Sequence, residues 1–149
     1  MLLIALLLIP LLYCVTRRLR EGRPLPPAWR MRACQGRAWR RAFPCASKAE
    51  LREFLQQLTD AFDLASHTRL QFGPNDRLMD IYHHFYPPRS RGWQPDNLEL
   101  EILERSLAAR YPGASERIAR VAHDGLTLGE LLAVARGGEA YLTSPKSEA

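Results

Sequence analysis

SKAELREFLQQLTDAF, residues 47–62, has the clearest helical pattern in the chain. Its large apolar residues recur three or four positions apart: Leu51, Phe54, Leu55, Leu58 and Phe62. This spacing gives a helix one apolar side. Ser47 and Glu50 form a capping box, which satisfies the free amides at the start of a helix. The segment therefore predicts a helix over about residues 48–65.

The same apolar spacing returns further along the chain, and no alternating strand pattern is present. The three later stripes consist of Leu78, Ile81, Tyr82 and Phe85, then Leu100, Leu103, Leu107 and Tyr111, and finally Leu128, Leu131, Leu132 and Ala135. Thr127 and Glu130 form a second capping box before the last stripe. A brief helix over residues 114–122 is also predicted. We therefore expect an all-α domain of four or five helices over residues 44–138 and a disordered tail over residues 139–149.

The chain begins with an uncharged apolar run, residues 1–16. Residues 17–41 then hold nine arginines and one glutamate (+8), whereas residues 42–149 hold twelve basic and fifteen acidic residues (−3). An apolar run with arginines on its C-terminal side is typical of an uncleaved membrane anchor whose following domain stays in the cytoplasm. The alternative is an apolar helix buried in a partner or in the protein's own core.

These features predict a transmembrane helix over residues 1–16 and a basic Pro/Arg-rich juxtamembrane linker over residues 17–43. The expected location is the inner (cytoplasmic) membrane, in a single pass, with the helical domain in the cytoplasm. Anionic lipid headgroups are favoured over nucleic acid as the partner of the linker, because it adjoins the apolar run. The candidate membrane-surface residues are Arg17, Arg18, Arg20 and Arg23.

Groups that could support catalysis are few and scattered. His83 and His84 are adjacent on a predicted helix, so their side chains diverge by about 100° and do not readily share a metal. Asp80 and His84 lie one turn apart, and we interpret them as a surface hydrogen-bonded pair rather than a weak metal site. No phosphate loop, dinucleotide fingerprint or nucleophile elbow is present in the sequence. We predict no enzymatic activity, no cofactor and no metal.

Asp96-Asn97-Leu98-Glu99 opens the third predicted helix, and Thr127 leads the last one. This motif and the helix order resemble an acyl carrier protein over about residues 48–136. The resemblance implies that a serine, which carries the phosphopantetheine arm, should follow Asp96. Asn97 occupies that position, and its amide is not such a nucleophile. The implied protein is carrier-like, keeps the docking helix and lacks the prosthetic arm.

Acidic residues gather in the first turns of this third helix: Asp96, Glu99, Glu101 and Glu104. They indicate either ordinary helix-start chemistry or, with Asn97, a docking surface for an arginine-rich partner. The first functional hypothesis is a membrane-anchored, non-catalytic protein-interaction or scaffold subunit. The second is a small immunity or regulatory protein that binds and neutralises a membrane-acting effector. Its contact surface would be the segment Tyr82–Tyr86 and the loop with Trp93, since aromatic residues concentrate binding energy.

Overall fold

The computed structural model describes residues 22–87 and 97–138. These ranges contain α1 (Pro27–Arg30), α2 (Gly36–Ala42), α3 (Lys48–Ala61), a 3-10 helix (Ser66–Gln71), α4 (Leu78–Phe85), α5 (Leu98–Arg110), α6 (Ala114–Val121) and α7 (Leu128–Ala135). In the same ranges, β-type backbone pairing is limited to two isolated β-bridges, Arg23 with Leu64 and Arg77 with Thr127. The predicted all-α class is confirmed for this part of the chain.

The prediction of a membrane-spanning helix requires correction. Across residues 22–87 and 97–138, no helix is both long enough and apolar enough to cross a bilayer. This finding overturns the predicted fold class with its transmembrane helix, and the predicted single-pass location in the inner membrane. The segment to which the anchor was assigned, residues 1–16, lies outside the described ranges, as does the predicted tail, residues 139–149.

The helices enclose one apolar core. α3 packs against the 3-10 helix and α5, and α6 packs against both α5 and α7. The predicted apolar face of α3 is confirmed, because Leu51, Phe54, Leu55 and Leu58 are all buried. Every residue of α7 except the half-buried Glu130 is buried. A helix that is buried on nearly all sides occupies the interior of a domain, so α7 is the central helix of the fold.

The core also contains residues that precede residue 44, where sequence analysis placed the start of the folded domain. Leu25, Trp39 and Phe43 are buried in it. The indole Nε1 of Trp39 donates a hydrogen bond to the carbonyl oxygen of Phe72 at 2.8 Å, and its ring lies 5.6 Å from that of Phe54. Residues 22–43 are therefore packed against the helices rather than extended away from them.

The two predicted capping boxes form to different extents. At α7 the box is complete: the Glu130 amide donates to Thr127 Oγ1 at 3.2 Å, and the Thr127 amide donates to Glu130 Oε2 at 2.8 Å. At α3 only the serine half forms, with the Glu50 amide donating to Ser47 Oγ at 3.0 Å. The Glu50 carboxylate instead binds residues of other helices. α3 also ends earlier than predicted, at Ala61, and Asp63 then adopts a positive φ of 53°.

Candidate functional site

α5, the helix that sequence analysis singled out, has an unusual exposed side. Leu103 and Leu107 face the core and are buried. On the opposite side Leu98 is 51% exposed and Ile102 is 39% exposed, and they lie one turn apart. Met31 is the other large apolar side chain that is well exposed in residues 22–87 and 97–138. The start of α5 therefore presents a pair of apolar side chains to solvent.

The predicted acidic residues of α5 do not form one patch. Glu101 is exposed on the same side of the helix as Leu98 and Ile102, and Glu104 is partly exposed at its margin. Glu99 turns inward and accepts a hydrogen bond from the Tyr86 hydroxyl. Its second carboxylate oxygen, Oε2, is buried and has no hydrogen-bond partner among the residues described. Glu101 and Glu104 are therefore the acids available to a partner.

The other predicted partner-binding residues are placed as follows. Tyr82 is only 2% exposed and belongs to the core. Its hydroxyl lies 3.5 Å from Oδ1 of Asn97, at the limit of a hydrogen bond. Asn97 precedes α5 and is exposed, yet its side chain makes no capping bond to the helix. Asp96 and Trp93 fall outside the described ranges. Tyr82 thus contributes packing rather than a contact surface.

A polar chain that sequence analysis missed supports the start of α5. Arg23 Nη1 donates to the Tyr86 hydroxyl at 2.5 Å, and that hydroxyl donates to Glu99. The Arg23 guanidinium also lies over the Tyr86 ring, 5.4 Å from its centroid. Burial raises the pKa of Tyr86, and the hydrogen bond to Glu99 raises it further. Arg23, predicted to contact lipid, lies here against Tyr86, the residue that follows α4. Arg17, Arg18 and Arg20 are outside the described part of the chain.

A second polar cluster joins the far end of α5 to two other helices. The Tyr111 hydroxyl donates to Glu50 Oε1 at 3.0 Å, and Arg136 Nε lies 3.2 Å from the same oxygen. Burial, followed by the hydrogen bond to Glu50, raises the pKa of Tyr111 to about 12. Because these residues come from the start of α3, the end of α5 and the end of α7, the cluster fixes the orientation of α5 in the domain.

Tyr111 should make stability depend on alkaline pH. Its phenol titrates near 10 in the unfolded chain and near 12 in the folded one. Between these values the unfolded chain binds fewer protons than the folded one, so the free energy of unfolding falls as pH rises. We expect a loss on the order of 1 kcal/mol, after allowance for the partial exposure of Tyr111. Urea denaturation at about pH 9 and about pH 11.5 measures it. If Tyr111→Phe loses as much stability as wild type between these two pH values, Tyr111 is not the cause of the loss.

Groups that could hold a metal do not converge in the described ranges. Within residues 22–87 and 97–138, no cluster of three or more His, Cys, Asp or Glu side chains has suitable geometry. Asp80 and His84 are both exposed, and the His84 ring meets Trp29 edge-on with centroids 5.8 Å apart. The predicted absence of a metal, a cofactor and an enzymatic activity stays a prediction.

Comparison with known proteins identifies no relative of this chain. No protein-family model matches it, and no curated protein or solved structure does so either. The resemblance to acyl carrier proteins therefore rests on the motif over residues 96–99 and on the order of the helices. It stays a hypothesis, and the exposed side of α5 is the candidate functional site of the domain.

Proposed function

We propose that this protein is a non-catalytic protein-interaction or scaffold subunit that binds an arginine-rich segment of its partner. The contact surface, which we term the α5 docking face, consists of Leu98, Glu101, Ile102, Glu104 and Arg105. The observation that carries the proposal is the exposure of Leu98 and Ile102 on a helix whose other side is packed in the core. The acids beside this apolar pair define the chemistry of the partner.

The apolar pair supplies the anchor. Single exposed apolar residues are ordinary on a protein surface, but neighbouring ones mark sites of interaction more often. Leu98 and Ile102 are four residues apart, the spacing with which a helix inserts anchors into a partner's groove. Burial of the exposed part of each side chain contributes on the order of 1 kcal/mol to binding. The contribution is smaller than for a fully exposed side chain, because each is already partly buried. The pair alone would give weak binding, so the charges beside it matter.

The charges supply direction and specificity. Glu101 and Glu104 flank the apolar pair, whereas Arg105 lies at its C-terminal end. A partner cation is therefore attracted to the side with the glutamates and repelled near Arg105. Arginine suits this position better than lysine because its planar guanidinium binds a carboxylate through two hydrogen bonds. Electrostatic complementarity of this kind fixes the orientation of a partner.

The carrier-like features agree with this proposal. In the carrier proteins that the chain resembles, the helix that follows the motif is the docking helix. Asn97 stands where the arm-bearing serine would be, and its amide offers no comparable nucleophile. A domain that docks partners but carries no prosthetic group fits a scaffold subunit. The alternative function is that of an immunity or regulatory protein that neutralises an effector through exposed aromatic residues. It is less favoured, because Tyr82, one of those residues, is buried.

Affinity capture of the full-length protein from its native cells tests the proposal. We expect Glu101→Lys with Glu104→Lys to lower partner recovery by about tenfold or more, because two attractive contacts become repulsive. The matched control reverses two acids on another surface, Glu116→Lys with Asp124→Lys, which are exposed and lie outside α5. Recovery should also fall as ionic strength rises. Retention of the same partners by the Glu101 and Glu104 variant would overturn the proposal.

A further inference from the structure

A second surface feature, distinct from the α5 docking face, lies where α2, α3 and the 3-10 helix meet. It is an open cavity of about 190 Å³. The residues that line it come from all three elements: Gly36, Trp39, Arg40, Lys48, Leu51, Arg52, Leu55 and Leu70. None of them belongs to the α5 docking face. Their chemistry divides into an apolar wall and a cationic rim.

The wall is apolar. Leu70 is partly exposed, and Trp39, Leu51 and Leu55 are core residues with exposures of 1%, 5% and 1%, so only their edges reach the cavity. The indole N–H of Trp39 already binds the Phe72 carbonyl, so the ring brings no free donor to the cavity. An apolar cavity of roughly 150 Å³ is known to accept benzene. This cavity therefore has room for one aromatic ring or a short alkyl chain.

The rim carries three cations and no acid. Arg40, Lys48 and Arg52 line the cavity, and within residues 22–87 and 97–138 none of the three forms an ion pair. The nearby acids of α3 are directed elsewhere: Glu50 binds Tyr111 and Arg136, and Glu53 pairs with Arg110 at 3.4 Å. α3 thus has its acids on one side and unneutralised cations on the cavity side.

The cations and the apolar residues lie at different depths in the cavity. Arg40, Lys48 and Arg52 are exposed at its rim, whereas Trp39, Leu51 and Leu55 are buried. A molecule that meets both levels has a negative head and a short apolar tail. An uncharged apolar molecule would leave the cations unpaired, and a bare inorganic anion would leave the apolar wall uncovered.

We propose that this cavity binds a small amphiphilic anion. Its phosphate or carboxylate group pairs with Arg40, Lys48 and Arg52. Its apolar part, about the size of a benzene ring, packs on Leu70 and on the edges of Trp39, Leu51 and Leu55 that reach the cavity. Guanidinium and ammonium groups are the usual partners of such anions in proteins. The site is independent of the α5 docking face, so each proposal can fail without the other.

Titration calorimetry of the full-length protein with phenyl phosphate tests the site. We expect saturable binding of one molecule per chain, and binding at least about tenfold weaker for benzyl alcohol and for inorganic phosphate. Gly36→Leu should abolish binding, since Gly36 lines the cavity and a Cβ added there meets no neighbour closer than Cys34 Sγ, at 3.5 Å. The folded state of each variant is verified by circular dichroism.

Paired arginine substitutions separate a built site from general attraction to a basic protein. Arg40→Gln with Arg52→Gln should weaken phenyl phosphate binding by about tenfold. Arg37→Gln with Arg41→Gln removes the same charge from exposed arginines of α2 that do not line the cavity, and should change binding by less than about threefold. Equal losses in the two pairs, equal binding of benzyl alcohol, or no binding of phenyl phosphate would each overturn the proposal.

Discussion

Replacement of Trp39 by alanine is expected to lower the free energy of unfolding by about 3–5 kcal/mol. Trp39 is 1% exposed, and its ring lies against those of Phe43 and Phe54. The substitution leaves a cavity where the indole was and removes the donor to the Phe72 carbonyl. Both effects are destabilising, because the cavity forfeits contacts and a buried acceptor loses its partner.

Urea denaturation of the full-length protein measures this effect. Met31→Ala is the control from the same segment, since Met31 is 85% exposed and should change stability by less than about 0.5 kcal/mol. Trp39→Phe should fall between the two, because it keeps most of the packing but not the hydrogen bond. A loss of under about 1 kcal/mol for Trp39→Ala would place residues 22–43 outside the cooperatively folded unit.

Replacement of Arg117 by methionine is expected to cost about 2–4 kcal/mol of stability. The Arg117 guanidinium donates to three carbonyl oxygens: Val134 at 2.9 Å, Ala135 at 2.6 Å and Pro112 at 3.1 Å. The last carbonyls of a helix have no intrahelical donor, and a cation at this end also complements the helix dipole. Arg117 therefore closes the C-terminal end of α7, the central helix, and ties it to α6.

Thermal or urea unfolding of Arg117→Met beside Arg120→Met tests this role. Arg120 lies on the same helix, and its pair with Glu116 is exposed and 3.8 Å long, so its loss should cost under about 0.5 kcal/mol. Arg117→Lys should recover only part of the stability, since an ammonium group cannot reach three carbonyls in the same planar arrangement. Equal effects of the two methionine variants would refute the capping role of Arg117.

The helices that could be predicted from sequence are those whose signal is local. Apolar spacing identified α3 and its buried face, and Thr127 with Glu130 identified the start of α7. The end of α3 was predicted four residues too late, because the chain leaves the helix through a positive φ at Asp63. A positive φ at a non-glycine residue is not accompanied by any periodic pattern in the sequence, so sequence could not predict it.

What sequence could not reveal depends on distant partners. Trp39 stands among arginines, which suggested a linker, and its burial requires Phe72, 33 residues away. Likewise, Glu99 is an acidic residue of α5 like Glu101 and Glu104. It turns inward because it accepts a hydrogen bond from the Tyr86 hydroxyl. The membrane-spanning prediction rested on residues 1–16, and the described helices give it no support. The cavity beside α3 combines residues from three elements, so no single segment indicates it.

The central claim is that the α5 docking face binds a partner through Leu98 and Ile102, and capture with both residues changed to serine tests it most directly. Both side chains are exposed, so the double variant should keep its helix content and stability. We predict that it recovers at least about tenfold less of the partner than wild type does. Met31→Ser, also at an exposed apolar residue, should recover as much as wild type. Undiminished recovery of the same partner by the folded Leu98→Ser, Ile102→Ser protein would contradict the account.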